Sequence, residues 1–209
     1  MTIETSDARA SFSRLTQWAH RLVAEVLRPG ALVVDLTAGN GHDSQFLWQG
    51  VAPNGRVLAF DVQEDALLAS RVRLEKAGAP VHVCAKGMLP SATMGVHLIA
   101  DGHECLSHYV REAPCAIMAN LGYLPGGDHR VATATPTTLS ALEQSLRILA
   151  PAGRLAVTAY PGHAGGVAET AAVAEYLQDL DGEGFEILEL RVVNSSRAPC
   201  LWVVQKRGG

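Results

Sequence analysis

The sequence predicts an α/β fold: a mostly parallel, seven-stranded sheet with helices on both faces, an antiparallel hairpin at the C-terminal edge and an extra helix at the N-terminus. Three observations carry that expectation. Short apolar runs alternate along the chain with longer stretches whose apolar residues recur at three- and four-residue steps. Strands separated by such helical crossovers pair in parallel. The last two apolar runs, by contrast, have only a loop between them and form a hairpin. With 209 residues, 48% of them hydrophobic, the chain suffices for one domain with a buried core and is short for two. A single domain over residues 1–209 is expected, with residues 1–29 as the extra helix and 30–209 as the core.

The elements follow in order. Phe12, Leu15, Trp18, Ala19, Leu22, Val23, Val26 and Leu27 mark an amphipathic helix over residues 7–27, stopped by Arg28-Pro29-Gly30. Residues 31–36 form a continuous apolar run, the pattern of a strand buried on both faces. A helix over 43–49, a turn at Pro53-Asn54-Gly55, a strand over 56–61 and a helix over 63–76 come next. Both 80–84 and 96–100 fit the third strand. The second is favoured because it runs into the polar end Asp101-Gly102-His103, which makes 79–95 a surface excursion. Strand 116–119, a Gly/Pro-rich loop, helix 138–149, strand 154–159, helix 167–180 and strands 185–192 and 201–205 complete the series.

Composition narrows the function. No run of about 18 apolar residues appears, so no membrane span is expected. The acidic, polar start predicts an unexported, cytoplasmic protein. Cys84, Cys105, Cys115 and Cys200 lack CxxC spacing and read as thiols of a reducing compartment. His103, Cys105 and His108 match no zinc pattern, and no metal is expected. A net charge of −4 and a pI near 6.0 argue against a broad basic surface for nucleic acid, while leaving room for a local cluster. Candidates are Arg14, Arg21 and Arg28 on the first helix, Arg130, and Arg191, Arg197, Lys206 and Arg207 near the end.

Asp35-Leu36-Thr37-Ala38-Gly39-Asn40-Gly41-His42-Asp43 leaves the first strand, where ligands of doubly wound sheets bind. Gly39 and Gly41 let backbone approach a ligand or take positive φ. Asp61 ends the second strand, placed to accept hydrogen bonds from ribose hydroxyls of an adenosine-containing ligand. A dinucleotide would want a third glycine and a helix N-terminus open to pyrophosphate, but Ser44 and Asp43 stand there. Carboxylates at Asp35 and Asp43 suit a ligand carrying a sulfonium and an ammonium instead.

Asn120 ends the fourth strand of this reading, and Asn120-Leu121-Gly122-Tyr123 resembles the Asn/Asp-Pro-Pro-Tyr signature of enzymes that methylate amino nitrogens, with Gly122 in place of proline. A side-chain carbonyl there can hold N–H groups so that the lone pair faces the methyl group, while Tyr123 packs against a base or covers the site. Pro125-Gly126-Gly127-Asp128-His129 and Tyr160-Pro161-Gly162-His163 supply two loops on the same side of the sheet. An alkyl amine, with a pKa near about 10.4, needs a base at neutral pH. Asp128, His129 and His163 are the candidates.

These motifs, together with Phe60-Asp61-Val62-Gln63, Asp101-Gly102-His103-Glu104, Thr137-Thr138-Leu139, Glu169 and the segment 194–199, resemble the small bacterial and plant-type methyltransferases known as “putative rRNA methylases”, which are similar to a tRNA wobble-uridine enzyme. The resemblance covers most of residues 30–205. It implies a Rossmann-like class I fold and the cofactor S-adenosyl-L-methionine, held by Gly39, Asn40, Asp61, Gln63 and Asp101-Gly102-His103, with Thr37, Gly41 and the flanking carboxylates in the same cradle. It further implies tRNA, through its anticodon stem-loop, as substrate, methylation of the aminomethyl nitrogen of 5-aminomethyl-2-thiouridine with Asn120 and Tyr123 at the acceptor, and a homodimer. A ribosomal RNA base or a small amine as acceptor, and a noncatalytic module that only senses the cofactor, are the alternatives.

Overall fold

Strands that bury both faces require a helical layer on each side, and the computed structural model, which describes residues 14–127, 131–195 and 198–208, has this arrangement. The order is α1 (Leu15–Ala24), β1 (Leu32–Asp35), α2 (His42–Val51), β2 (Arg56–Phe60), α3 (Glu64–Lys76), β3 (Val81–Cys84) and β4 (Gly95–Ile99). A 3₁₀ turn (His103–Cys105) and a short α4 (Leu106–Tyr109) follow. The chain continues through β5 (Ala116–Leu121), α5 (Thr135–Ile148), β6 (Arg154–Ala159), α6 (Gly166–Gln178), β7 (Phe185–Arg191) and β8 (Cys200–Lys206). These strands form one sheet in the order β3-β4-β2-β1-β5-β6-β8-β7. The pairings of β8 with β6 and β7 are antiparallel and the others parallel.

Successive residues of each strand serve opposite layers. Leu32, Val34, Leu58, Phe60 and Ile117 pack with Leu142 and Leu146 of α5 and Val173 and Leu177 of α6. Val33, Val57, Ala59 and Met118 pack with Ala19 and Val23 of α1, Leu47 and Trp48 of α2, and Leu67 and Leu74 of α3. Each such Leu, Ile, Val, Phe or Met side chain, fully buried, stabilises the fold by about 1.5–3 kcal/mol. The N-terminal helix belongs to this second layer. Leu15, Ala19 and Val23 recur at four-residue steps on its buried face. Arg154 ties it down, donating to the Leu22 carbonyl and pairing with Glu25 at 2.8 Å. The part of the expected helix before Arg14 lies outside the described residues.

The fold class is as expected, but the sheet has eight strands rather than seven. Residues 79–95 are no excursion: β3 pairs in parallel with β4, Val81 beside Val96 and Cys84 beside Ile99. The two segments looked like alternatives because only residues 85–94 join them, less chain than the dozen or more residues a parallel crossover normally takes. The strand sits at the sheet edge with Val83 half exposed, so its pattern lacks the continuous burial of its neighbours.

Strand order reverses direction at β1, which lies between β2 and β5. The loops leaving β1, β2, β4 and β5 therefore open onto one crevice at the carboxyl ends of the strands.

Candidate active site

The crevice is a cavity of about 1030 Å³. The turn after β1 supplies its floor. Gly41 begins α2 in the left-handed region, at φ +77°, and a Cβ there would lie 2.8 Å from the Cα of Ser70 on α3. Gly39 also has positive φ, and its N–H donates to Asp61 Oδ2 at 2.9 Å. The Gln63 N–H donates to Asp61 Oδ1 at 3.0 Å. Asp61 is thus locked at the end of β2, with accepting capacity left beyond its backbone partners Gly39, Gln63 and Val62. Burial raises its pKa, partly offset by these backbone bonds.

Thr37 joins β1 to β5: its hydroxyl accepts the Asn120 N–H at 2.8 Å. Asn40 Nδ2 donates to the Pro125 carbonyl, and the Asn40 carbonyl accepts from Arg73. Asp101, after β4, accepts from the Tyr109 hydroxyl at 2.7 Å and the Gly102 N–H at 2.9 Å, and pairs with Lys86 at 3.3 Å. Burial pushes the Asp101 carboxyl up, but these partners outweigh it and hold it below the ordinary value. A Cβ at Gly102 would lie 2.2 Å from Glu104 Oε2, the far end of a flexible side chain that can swing aside.

Asp43 lines the cavity, yet both its oxygens are engaged. His20 Nε2, on α1, meets Oδ1 at 2.7 Å, and Asn120 Nδ2 donates to Oδ2. With its amide nitrogen turned to Asp43, Asn120 directs Oδ1 the other way, where it is buried and has no partner. His103 and His163 repeat this arrangement. Nδ1 of His103 lies 3.2 Å from the Leu36 carbonyl, and Nδ1 of His163 lies 3.0 Å from the Ala164 carbonyl. A carbonyl accepts only from N–H, so each neutral ring presents an unprotonated Nε2, buried and unpartnered. Burial lowers the His103 pKa. The wall of the cavity is thus rich in acceptors, three of them enclosed within it without a hydrogen-bond partner.

Its charge says the same. Asp43, Asp61, Asp101 and Glu104 line the wall, and among the described residues no Lys or Arg does. Pyrophosphate would be repelled, whereas sulfonium and ammonium groups fit. Tyr123, Tyr160 and His163 close the acceptor side, the Tyr123 and His163 rings 6.2 Å apart and near perpendicular.

Most residues singled out in the sequence meet here: Thr37, Gly39, Asn40, Asp43, Asp61, Gln63, Asp101, Gly102, His103, Asn120, Tyr123 and His163 all line the cavity. Asp35 and Gly41 do not. Asp35 is fully buried and spends its oxygens on the Ser44 hydroxyl at 2.6 Å and the Thr37 N–H at 3.1 Å, so it shapes the turn instead of touching a ligand. Gly41 acts through its backbone angle and its contact with α3. Asp128 and His129, with Arg130, lie outside the described residues. Sequence reasoning missed His20 and Thr16 of α1, which reach the cavity, because no local pattern places that helix over the crevice.

A family model described as “Putative rRNA methylase” matches residues 57–206. The chain is 32% identical over 202 residues to a chloroplastic tRNA (mnm(5)s(2)U34)-methyltransferase of Arabidopsis thaliana, covering 93% of this chain and 70% of that one. Among solved structures, a “putative rRNA-methylase” from Clostridium thermocellum has a TM-score of 0.82 at 31% identity, covering 91% of this chain and 96% of that one. A “putative methyltransferase” from Streptococcus mutans, in complex with SAH, has a TM-score of 0.78 at 34% identity over 92% and 98% of the two chains. With a family model across most of its length, and relatives that share its fold over about nine-tenths of the chain, this chain belongs to the “Putative rRNA methylase” family and is an S-adenosyl-L-methionine-dependent methyltransferase.

Proposed function

We propose that the enzyme methylates the aminomethyl nitrogen of 5-aminomethyl-2-thiouridine at the tRNA wobble position, giving 5-methylaminomethyl-2-thiouridine. The observation that carries this reading is the placement of Asn120, which lines the cavity at the end of β5 with its amide nitrogen held by Asp43 and Tyr123 close by in the same wall. A primary amine brought to Asn120 would offer an N–H to a side chain whose carbonyl oxygen has no other partner. The Arabidopsis relative, named for mnm(5)s(2)U34 of tRNA and similar over 93% of this chain, supports the wobble uridine as the target, and the anticodon stem-loop that carries it is the proposed substrate region.

In this reading Asp61 would accept hydrogen bonds from the ribose hydroxyls, and Gln63 and Asp101-Gly102-His103 would hold the cofactor beside it. Gly39 and Asn40 bring backbone close to the cofactor, and Thr37 and Asp43 bound the side nearest the reacting centre. Bound there, the cofactor supplies a methyl group made electrophilic by its sulfonium. Asn120 accepts one N–H of the amine and thereby turns the nitrogen lone pair towards that methyl, an alignment that needs the reacting atoms about 3 Å apart. Tyr123 and Tyr160 form the wall against which the nucleoside packs. Asp128 and His129, which follow Tyr123 in the sequence, are kept as candidates for work on the acceptor amine. One catalytic domain, working in the cytoplasm as a homodimer, completes the proposal.

Replacing Asn120 with Ala tests it. The variant is expected to lose at least about a hundredfold in kcat on tRNA carrying the aminomethyl nucleoside, the scale of one oriented polar contact in a transition state. Its affinity for S-adenosyl-L-methionine, measured by calorimetry, should stay within a few-fold of wild type. Equal loss of binding and turnover would remove Asn120 from the acceptor site.

A further inference from the structure

We propose that His20, on the N-terminal helix, is a positioning residue for methyl transfer: acting through Asp43, it sets the orientation of the Asn120 side chain. This rests on the reading above, in which Asn120 meets the acceptor amine.

The arrangement begins with α2. Asp43 and Phe46 stand three residues apart on that helix and so share a face. The His20 ring lies flat against Phe46, with centroids 3.9 Å apart and planes within 4° of parallel. In that position its Nε2 meets Asp43 Oδ1 at 2.7 Å. A carboxylate oxygen only accepts, so Nε2 carries the hydrogen. One neighbour thus fixes the plane of the imidazole and the other the direction of its N–H. Arg154 holds the far end of α1, donating to the Leu22 carbonyl and pairing with Glu25. Thr16, one turn before His20, also lines the cavity, so this face of the helix forms part of the wall.

What His20 adds follows from the freedom of a carboxylate. The last torsion of an aspartate is broad and roughly two-fold, and a bond to one oxygen leaves the group free to rock. Asp43 is held at both oxygens, by His20 on Oδ1 and by Asn120 Nδ2 on Oδ2. The same torsion in Asn120 has the same latitude, and a flip there exchanges a donor for an acceptor. Asp43 decides the matter, because it accepts from Nδ2 and repels Oδ1. Its side chain is 7% exposed, which leaves water little room to replace a lost donor. The backbone of Asn120 is fixed separately, its N–H donating to the Thr37 hydroxyl at 2.8 Å. The orientation of the amide, and not the path of the strand, therefore depends on His20. No proton transfer is assigned to the imidazole.

Double-mutant kinetics test this. His20→Leu removes the donor and keeps an apolar side chain against Phe46, whereas His20→Gln keeps an N–H able to reach Asp43. On tRNA carrying the aminomethyl nucleoside, His20→Leu should lower kcat by about ten- to a hundredfold, the scale of one hydrogen bond to a charged group. KM for tRNA and calorimetric affinity for S-adenosyl-L-methionine should stay within a few-fold of wild type. His20→Gln should recover most of the loss. In an Asn120→Ala background, where no amide remains to be oriented, His20→Leu should cost less than about threefold more in single-turnover rate. Should the leucine variant not fold, His20→Phe, which preserves a stacked ring without its N–H, carries the same expectations. Unchanged kcat, no recovery with glutamine, a loss that multiplies with that of Asn120→Ala, or a loss shared equally with cofactor affinity would each overturn the proposal. Full turnover by Asn120→Ala alone would instead overturn the reading on which it rests.

Discussion

Asp35 and Asp43 look equivalent in the sequence, two carboxylates around one glycine turn, but the structure separates them. Asp35 shares the face of β1 with Val33 and points into the layer under α2, where Ser44 donates to it. Asp43, in the first turn of α2, points to the cavity and fixes Asn120. Strand alternation and helix phase decide this, and neither can be read until register is known. Asp61 was legible because an acid ending a second strand has one obvious direction to face. The burial of Asp35 has a measurable result. Burial first, and the charge of Asp43 second, raise its pKa from 3.8 to about 7. Between those values the folded chain keeps a proton that the unfolded chain has lost. Its contribution to stability is therefore full below about pH 4 and is lost as pH rises through about 7. Asp35→Asn removes this dependence. In urea melts its stability relative to wild type should rise from about pH 4 to about pH 7 and then level off; a constant difference would contradict the assignment.

At the scale of elements, most strands and helices were legible from periodicity, because strands buried on both faces and helices with one apolar stripe leave distinct patterns. The exceptions sit at edges. Strand β3 is half solvated and short of crossover chain, and α4 is too brief to show a period. Together they brace the segment that follows β4. The Tyr109 hydroxyl donates to Asp101 while accepting the Gly87 N–H at 2.7 Å, and His108 meets the Gly87 carbonyl. One buried phenol thus ties the β3–β4 loop to the residue that ends β4. Tyr109→Phe should cost about 1–3 kcal/mol, since it leaves one buried carboxylate oxygen and one amide short of a partner. Hydrogen exchange at the Gly87 amide should accelerate while α5 and α6 stay protected. Unchanged protection at Gly87 would show that the loop is held by other means. The N-terminal helix teaches the complementary lesson. Its amphipathic stripe was plain, but its passage over the crevice, which brings His20 to Asp43, depends on the Arg154 contact with Leu22 and Glu25, more than a hundred residues away in sequence.

For the whole molecule, the reversal of strand order at β1 explains why residues from most of the chain, from Thr16 to His163, share one cavity. A chain of net charge −4 concentrates four carboxylates there. Such a wall favours cations over bare phosphate. In the proposed reading a nucleoside bearing an aminomethyl group would enter as such a cation, with the phosphates of its RNA outside. The central claim is tested most directly by incubating the enzyme with labelled S-adenosyl-L-methionine and tRNA carrying 5-aminomethyl-2-thiouridine, with ribosomal RNA in parallel, and identifying the nucleosides by mass spectrometry. The account predicts label in tRNA alone, as a single added methyl on that nucleoside. Label in ribosomal RNA, or no tRNA product from enzyme that binds the cofactor, would contradict it.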